Sequence, residues 1–127
     1  MTGPDEVAAG VVVAVALGAS DQVGPGWGRA PRVALARVQD GTLASWVVEE
    51  VHWDDLHETG SEAAHHARIA RFVKQNGVGI VVAGHMGPGM QAMMARMGVQ
   101  VHLGAEGDAR QVALAAAAPA QGTGVAS

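Results

Sequence analysis

The chain has 127 residues, 49% of them hydrophobic but only 3% aromatic, with a formal net charge of −4 and no cysteine. That length is one ordinary domain, able to bury a core of Val, Ala, Ile, Leu and Met without a disulfide or structural metal. The acidic balance excludes nucleic acid and an anionic membrane as main partners, and the lack of cysteine excludes disulfides and thiolate ligands.

From the N-terminus, residues 1–9 are polar with Gly and Pro, and disorder is expected. The apolar stretch that follows Asp5 and Glu6 lacks the basic flank of a signal peptide, and no run reaches the roughly 20 residues of a membrane span, so the expected location is cytoplasmic. Val11 to Leu17 is a continuous apolar run, which marks a strand buried on both faces. Gly18 to Pro31 is a long loop holding four glycines and two prolines, and loops of that length in compact domains are often functional. Arg32–Val38 and Leu43–Val51 read as strands joined at Asp40-Gly41, a hairpin signal.

His52 to Ser61 reads as a polar loop. Ser61 caps a helix running through Asn76, which Gly77 stops, with Ile69, Phe72 and Val73 on one face. Gly79–Ala83 is a buried strand, Gly84–Gly89 a tight turn, Met90–Met97 a helix stopped by Gly98, and Val99–Leu103 a fifth strand. Asp108 caps a last helix to about Ala118, which Pro119 cannot continue; residues 119–127 are expected to be disordered. The order β-β-β-α-β-α-β-α gives an α/β fold: one domain over residues 10–118, with helices packed on a mixed five-stranded sheet.

Three segments resemble the dinitrogenase iron–molybdenum cofactor biosynthesis family (the NifX/NafY type of metallocluster-binding domain). They are Gly28-Arg29-Ala30-Pro31 before a strand, Gly77-Val78-Gly79-Ile80-Val81-Val82-Ala83-Gly84, and Gly98-Val99-Gln100-Val101-His102-Leu103-Gly104-Ala105-Glu106-Gly107. The resemblance covers about residues 11–118. It implies a ribonuclease-H-like fold and the binding or delivery of iron–molybdenum cofactor, its precursors or other metal–sulfur clusters. The chain departs from the family pattern twice. The His usual before the aromatic residue is Gly26 here, and the Gly usual after Ala-Gly is His85, so one His is lost and another gained.

Ligands in open α/β sheets bind at the carboxyl ends of parallel strands. The Gly18–Pro31 loop and the Gly84–Gly89 turn converge there, with the start of the first long helix nearby. His85, His65, His66 and His57 are the candidate metal ligands, and Met86 and Met90 the candidate soft ligands. Trp27, Gly28, Arg29, Gly84, Gly87 and Gly89 are the candidate cofactor-binding positions. The bland readings stand beside these. His65 and His66 also suit an exposed helix start, His57 a solvated loop, and Trp27 a hydrophobic plug instead of a lid. Arg29 also suits a salt bridge to Asp21 or Glu50. His52 and His102 read as structural, and Met93, Met94 and Met97 as helix core.

Nuclease activity is rejected because the first strand carries no carboxylate for a two-metal site, and no nucleophile signature appears. The reading is a non-enzymatic carrier or assembly accessory for a metal ion (Fe/Mo, Cu or Zn) or a metal–sulfur cluster, handing cargo to an acceptor protein. The alternatives are a metal-free small-anion or cofactor module built on Arg29 and the Gly84–Gly89 turn, and a homodimeric interaction domain joined at a sheet edge.

Overall fold

The structure, a computed structural model, describes residues 10–18 and 20–118; the expectations for residues 1–9 and 119–127 lie outside the described residues. The strands are β1 (Val11–Leu17), β2 (Arg32–Gln39), β3 (Thr42–Glu50), β4 (Val78–Val82) and β5 (Gln100–His102). The helices are α1 (Trp53–Leu56), α2 (Glu62–Gln75), α3 (Pro88–Arg96) and α4 (Ala109–Ala117).

The strands form one mixed sheet in the order β3-β2-β1-β4-β5. β1 lies at its centre, antiparallel to β2 from Val11↔Val38 to Leu17↔Arg32 and parallel to β4. Its continuous apolar run has the cause inferred from the sequence. Alternate side chains point to opposite faces, and both faces are covered. Ala14 and Ala16 pack with Ile69 and Val73 of α2 and Met90 and Met94 of α3. Val13, Val15 and Leu17 pack with Ala109 and Ala113 of α4. Asp40 (φ 51°) and Gly41 (φ 78°) both take positive φ, as the tight turn between β2 and β3 requires.

The helix ends follow local chemistry. The Ser61 hydroxyl accepts the Ala64 N–H at 3.0 Å, and Asp108 accepts the Gln111 N–H at 3.0 Å, each satisfying a donor that a helix start leaves open. α3 begins at Pro88, two residues before the expected Met90, because proline's fixed φ and missing N–H suit the first helical position.

The stretch expected to be only a loop, His52 to Ser61, contains α1. Trp53 explains the difference: it is buried, with its ring edge-on to Trp27 at 5.1 Å and to Phe72 at 5.2 Å. One aromatic residue in a polar segment offers enough apolar area to draw the backbone inward, and Asp54 and Asp55 suit the first turn of a helix.

Candidate functional site

The site lies where β1 and β4 end side by side. The loop after β1 is not loosely hung. It returns along the sheet through Gly24 N–H to Ala16 O (2.8 Å), Trp27 N–H to His85 O (3.0 Å) and Gly84 N–H to Gly24 O (3.3 Å). Gly26 and His85 pair as an isolated parallel bridge. This close approach explains Gly84, where a Cβ would lie 2.8 Å from Pro25 O. The Gly84–Gly89 turn thus spends its first glycine on packing against the neighbouring loop.

A cavity of about 420 Å³ opens between this loop, α2 and the start of α3. Its wall brings together Trp27, Gly28 and Arg29 from the loop, His57, His65 and His66 from α2 and its approach, and His85, Met86, Gly87 and Met90 from the turn and α3. Gly84 and Gly89, expected among the binding positions, are not on that wall. A Cβ at Gly89 would meet His66 Cε1 at 3.3 Å, so Gly89 makes room for the His66 ring. Gly26 and Glu62 also line the cavity; neither was anticipated, although Glu62 stands four residues before His66 on α2, a spacing that signals contact. A second cavity of about 620 Å³ adjoins the first and shares Gly26, Arg29 and His85 with it.

The four histidines differ. His85 is exposed and His57 half-buried. His66 is half-buried with Nε2 3.7 Å from a Glu62 carboxylate oxygen. His65 is only 5% exposed. Its Nε2 lies 2.8 Å from Gly28 O and its Nδ1 2.6 Å from an Arg68 guanidinium nitrogen, while the His57 ring stands edge-on to it at 5.9 Å. Both His65 nitrogens are therefore engaged. The second partner, Arg68, stands one helical turn further along α2.

Met86 and Met90 are buried and belong to the core facing α2 and α3, so the cavity floor is apolar. Met94 is core, and Met93 and Met97 pack against it. Trp27 is wholly buried; it anchors the loop instead of covering the site. Its indole N–H has no acceptor among the described residues. Arg29 is exposed and forms no ion pair among the described residues. The salt bridges foreseen for it are made by Arg32, 3.4 Å from Asp21 and 3.7 Å from Glu50.

No three His, Asp or Glu side chains of the cavity stand within single-ion spacing. Among the described residues that spacing is met only by His52, Asp54 and Asp55, all exposed. His52 follows β3, and His102 ends β5 with Nε2 3.0 Å from Gln100 Nε2. Among the described residues, no helix is long and apolar enough to cross a membrane.

The family model described as dinitrogenase iron-molybdenum cofactor matches residues 10–118. No curated protein matches the chain. Among solved structures, the chain is similar to PH0822, with a TM-score of 0.66 at 20% identity over 83% of this chain and 87% of that one. It is also similar to the protein MJ0327 of Methanococcus jannaschii. The NMR structure of MJ0327 gives a TM-score of 0.58 at 15% identity, covering 83% of each chain. Its crystal structure, under the organism name Methanocaldococcus jannaschii, gives 0.57 at 11% identity, covering 83% of this chain and 86% of that one. At these identities the structural likeness establishes the fold.

Proposed function

The chain belongs to the dinitrogenase iron–molybdenum cofactor family, and from that premise we propose that the cleft between the Gly26–Arg29 loop, α2 and α3 carries a preassembled metal–sulfur cluster as releasable cargo. The family ties the chain to binding or biosynthesis of iron–molybdenum cofactor in general; the residues and the manner of holding are this proposal. One observation carries it. Four imidazoles and two methionines line a single cavity of about 420 Å³, yet no three of its ionisable ligand groups converge to the spacing of one ion. Ligands that are numerous but spread suit an object that brings its own sulfide and offers metal atoms at several points. They also explain how a chain without cysteine could hold such a cluster.

The remaining chemistry agrees with that reading. Arg29 supplies a cation without a carboxylate partner, and Trp27 a buried N–H lacking an acceptor. The exposed guanidinium favours a ligand that carries acceptors and negative charge. A hard divalent cation such as Ca(II) or Mg(II) would instead seek clustered carboxylates, and Glu62 alone lines this wall. His85, exposed at the end of β4, and His66 and His57 from the α2 side are the proposed ligands, with Met86 and Met90 as an apolar, polarisable floor. An incomplete ligand set suits a carrier or assembly accessory, which must surrender its cargo to an acceptor protein, and the role needs no catalysis.

The two departures from the family pattern, Gly26 and His85, are partners in one bridge. We infer that His85 presents from the neighbouring strand end the imidazole that the family pattern places at position 26.

The test is an anaerobic titration with isolated iron–molybdenum cofactor, and separately with Zn(II), Cu(I) and Fe(II), of wild type and His85→Ala. Stoichiometric uptake of the cofactor, weakened in the variant, with weak uptake of the single ions, is the expected result. Tight uptake of a single ion in preference to the cofactor would overturn the reading, and binding of an anion unaffected by chelators would favour the metal-free alternative.

A further inference from the structure

Resting on the reading of the cleft as a carrier site, we propose that His65 is a positioning residue that clasps the cleft loop onto α2 and does not ligate the cargo. The hydrogen-bond partners fix its state. A carbonyl oxygen only accepts, so the proton shared with Gly28 O sits on Nε2; a guanidinium only donates, so the Nδ1 lone pair points at Arg68. His65 is therefore the neutral Nε2–H tautomer, with its proton and its lone pair both committed. To ligate a metal through Nδ1 it would have to displace Arg68, leaving a guanidinium beside the metal. To ligate through Nε2 it would have to give up Gly28. Burial makes either exchange costly, because the abandoned partner would be left unsatisfied.

What the clasp holds explains why it matters. The Trp27–Gly28–Arg29 segment is tied on one side to the end of β4 by Trp27 N–H to His85 O at 3.0 Å. His65 supplies the tie on the other side, from α2. Arg68 extends the connection to Leu56 O at 3.4 Å, and the His57 ring packs edge-on to His65. One buried imidazole thus fixes the loop wall that carries Arg29, the end of α1 and the ring of a proposed ligand. Releasing it would loosen the wall between Gly28 and α2 while leaving His85 in place.

The test compares His65→Leu, which abolishes both hydrogen bonds, with His65→Gln, whose amide offers an N–H and an acceptor oxygen. In the cargo-free protein, hydrogen exchange at the Trp27 and Ala30 amides should quicken about tenfold or more in His65→Leu, the scale of one lost charge-assisted hydrogen bond, and stay near wild type in His65→Gln. With isolated iron–molybdenum cofactor bound, pulsed electron paramagnetic resonance should count the same imidazole nitrogen couplings in wild type and both variants, while dissociation quickens in His65→Leu alone. Loss of an imidazole coupling in His65→Gln, or unchanged loop exchange in His65→Leu, would overturn the proposal. Should His65→Leu fail to fold, the coupling count in His65→Gln decides. If wild type takes up no cofactor, the carrier reading fails, and the exchange comparison still decides whether the clasp exists.

Discussion

Moving the imidazole across the Gly26–His85 bridge tests the proposed ligand position and the kind of cargo together. His85→Gly removes an exposed side chain, and Gly26→His adds one where a Cβ meets nothing within 4 Å and the backbone is not left-handed. Each change should therefore alter stability by no more than about 1 kcal/mol. Binding should respond far more. Loss of an outer-shell partner typically lowers metal affinity 10–100-fold, so losing a direct ligand should cost His85→Gly at least about 100-fold, or about 2.8 kcal/mol. The double variant returns an imidazole to the same cavity wall, displaced by about 4.8 Å, the spacing of neighbouring strands. A cluster exposing several metal atoms tolerates that shift, and affinity should recover to within about tenfold of wild type, whereas a single-ion site needs its ligands within about 0.5 Å of their place and should not recover. The assay is co-elution of isolated iron–molybdenum cofactor with the protein under anaerobic gel filtration, with metal content measured per chain and circular dichroism confirming the fold. A folded double variant that binds no better than His85→Gly would refute the idea that positions 26 and 85 serve one ligand, and wild-type binding by His85→Gly would remove His85 from the site.

Other expectations follow from the same geometry. Gly84→Ala forces a methyl to 2.8 Å from Pro25 O and should destabilise the chain by about 1–3 kcal/mol in urea titration, whereas Gly26→Ala, with open space around it, should be neutral; equal effects would refute the packing argument. Ser61→Ala removes the hydroxyl that accepts the Ala64 N–H and should cost about 0.5–2 kcal/mol, with Ser61→Asp restoring most of it. Arg29→Ala should leave the melting temperature unchanged, because the side chain is exposed and makes no ion pair among the described residues. It should weaken cofactor binding and flatten its dependence on salt; unaltered binding and salt response would exclude an electrostatic role for Arg29.

How far the sequence could be read depends on the range of each interaction. The mixed sheet and the burial of β1 on both faces were legible because β1 is apolar at every position and Asp40-Gly41 dictates a hairpin, and both signals are local. The helix α1 was not legible within the loop expected from His52 to Ser61, because the burial of Trp53 depends on Trp27 and Phe72, residues distant in sequence whose meeting no periodicity encodes. The convergence of His57, His65, His66 and His85 was legible in outline, since strand ends of a parallel sheet must gather the loops that follow them. Their individual states were not. His65 differs from His66 only by a step of about 100° around α2, yet that step turns one ring into the buried contacts of Gly28 and Arg68 and leaves the other beside Glu62 at the rim. Arg29 and Arg32 exchange roles in the same way. Residue type gave both a claim on Asp21 and Glu50, and the register Arg32↔Glu50 at the start of β2 settles it for Arg32. That assignment has a functional consequence. The cation nearest the loop's own carboxylates is spent on holding β2 to β3 and to the loop, so Arg29 reaches the cleft without a carboxylate to neutralise it. In a chain with net charge −4, the Arg29 guanidinium on the cavity wall places a positive charge where an anionic cargo would need it.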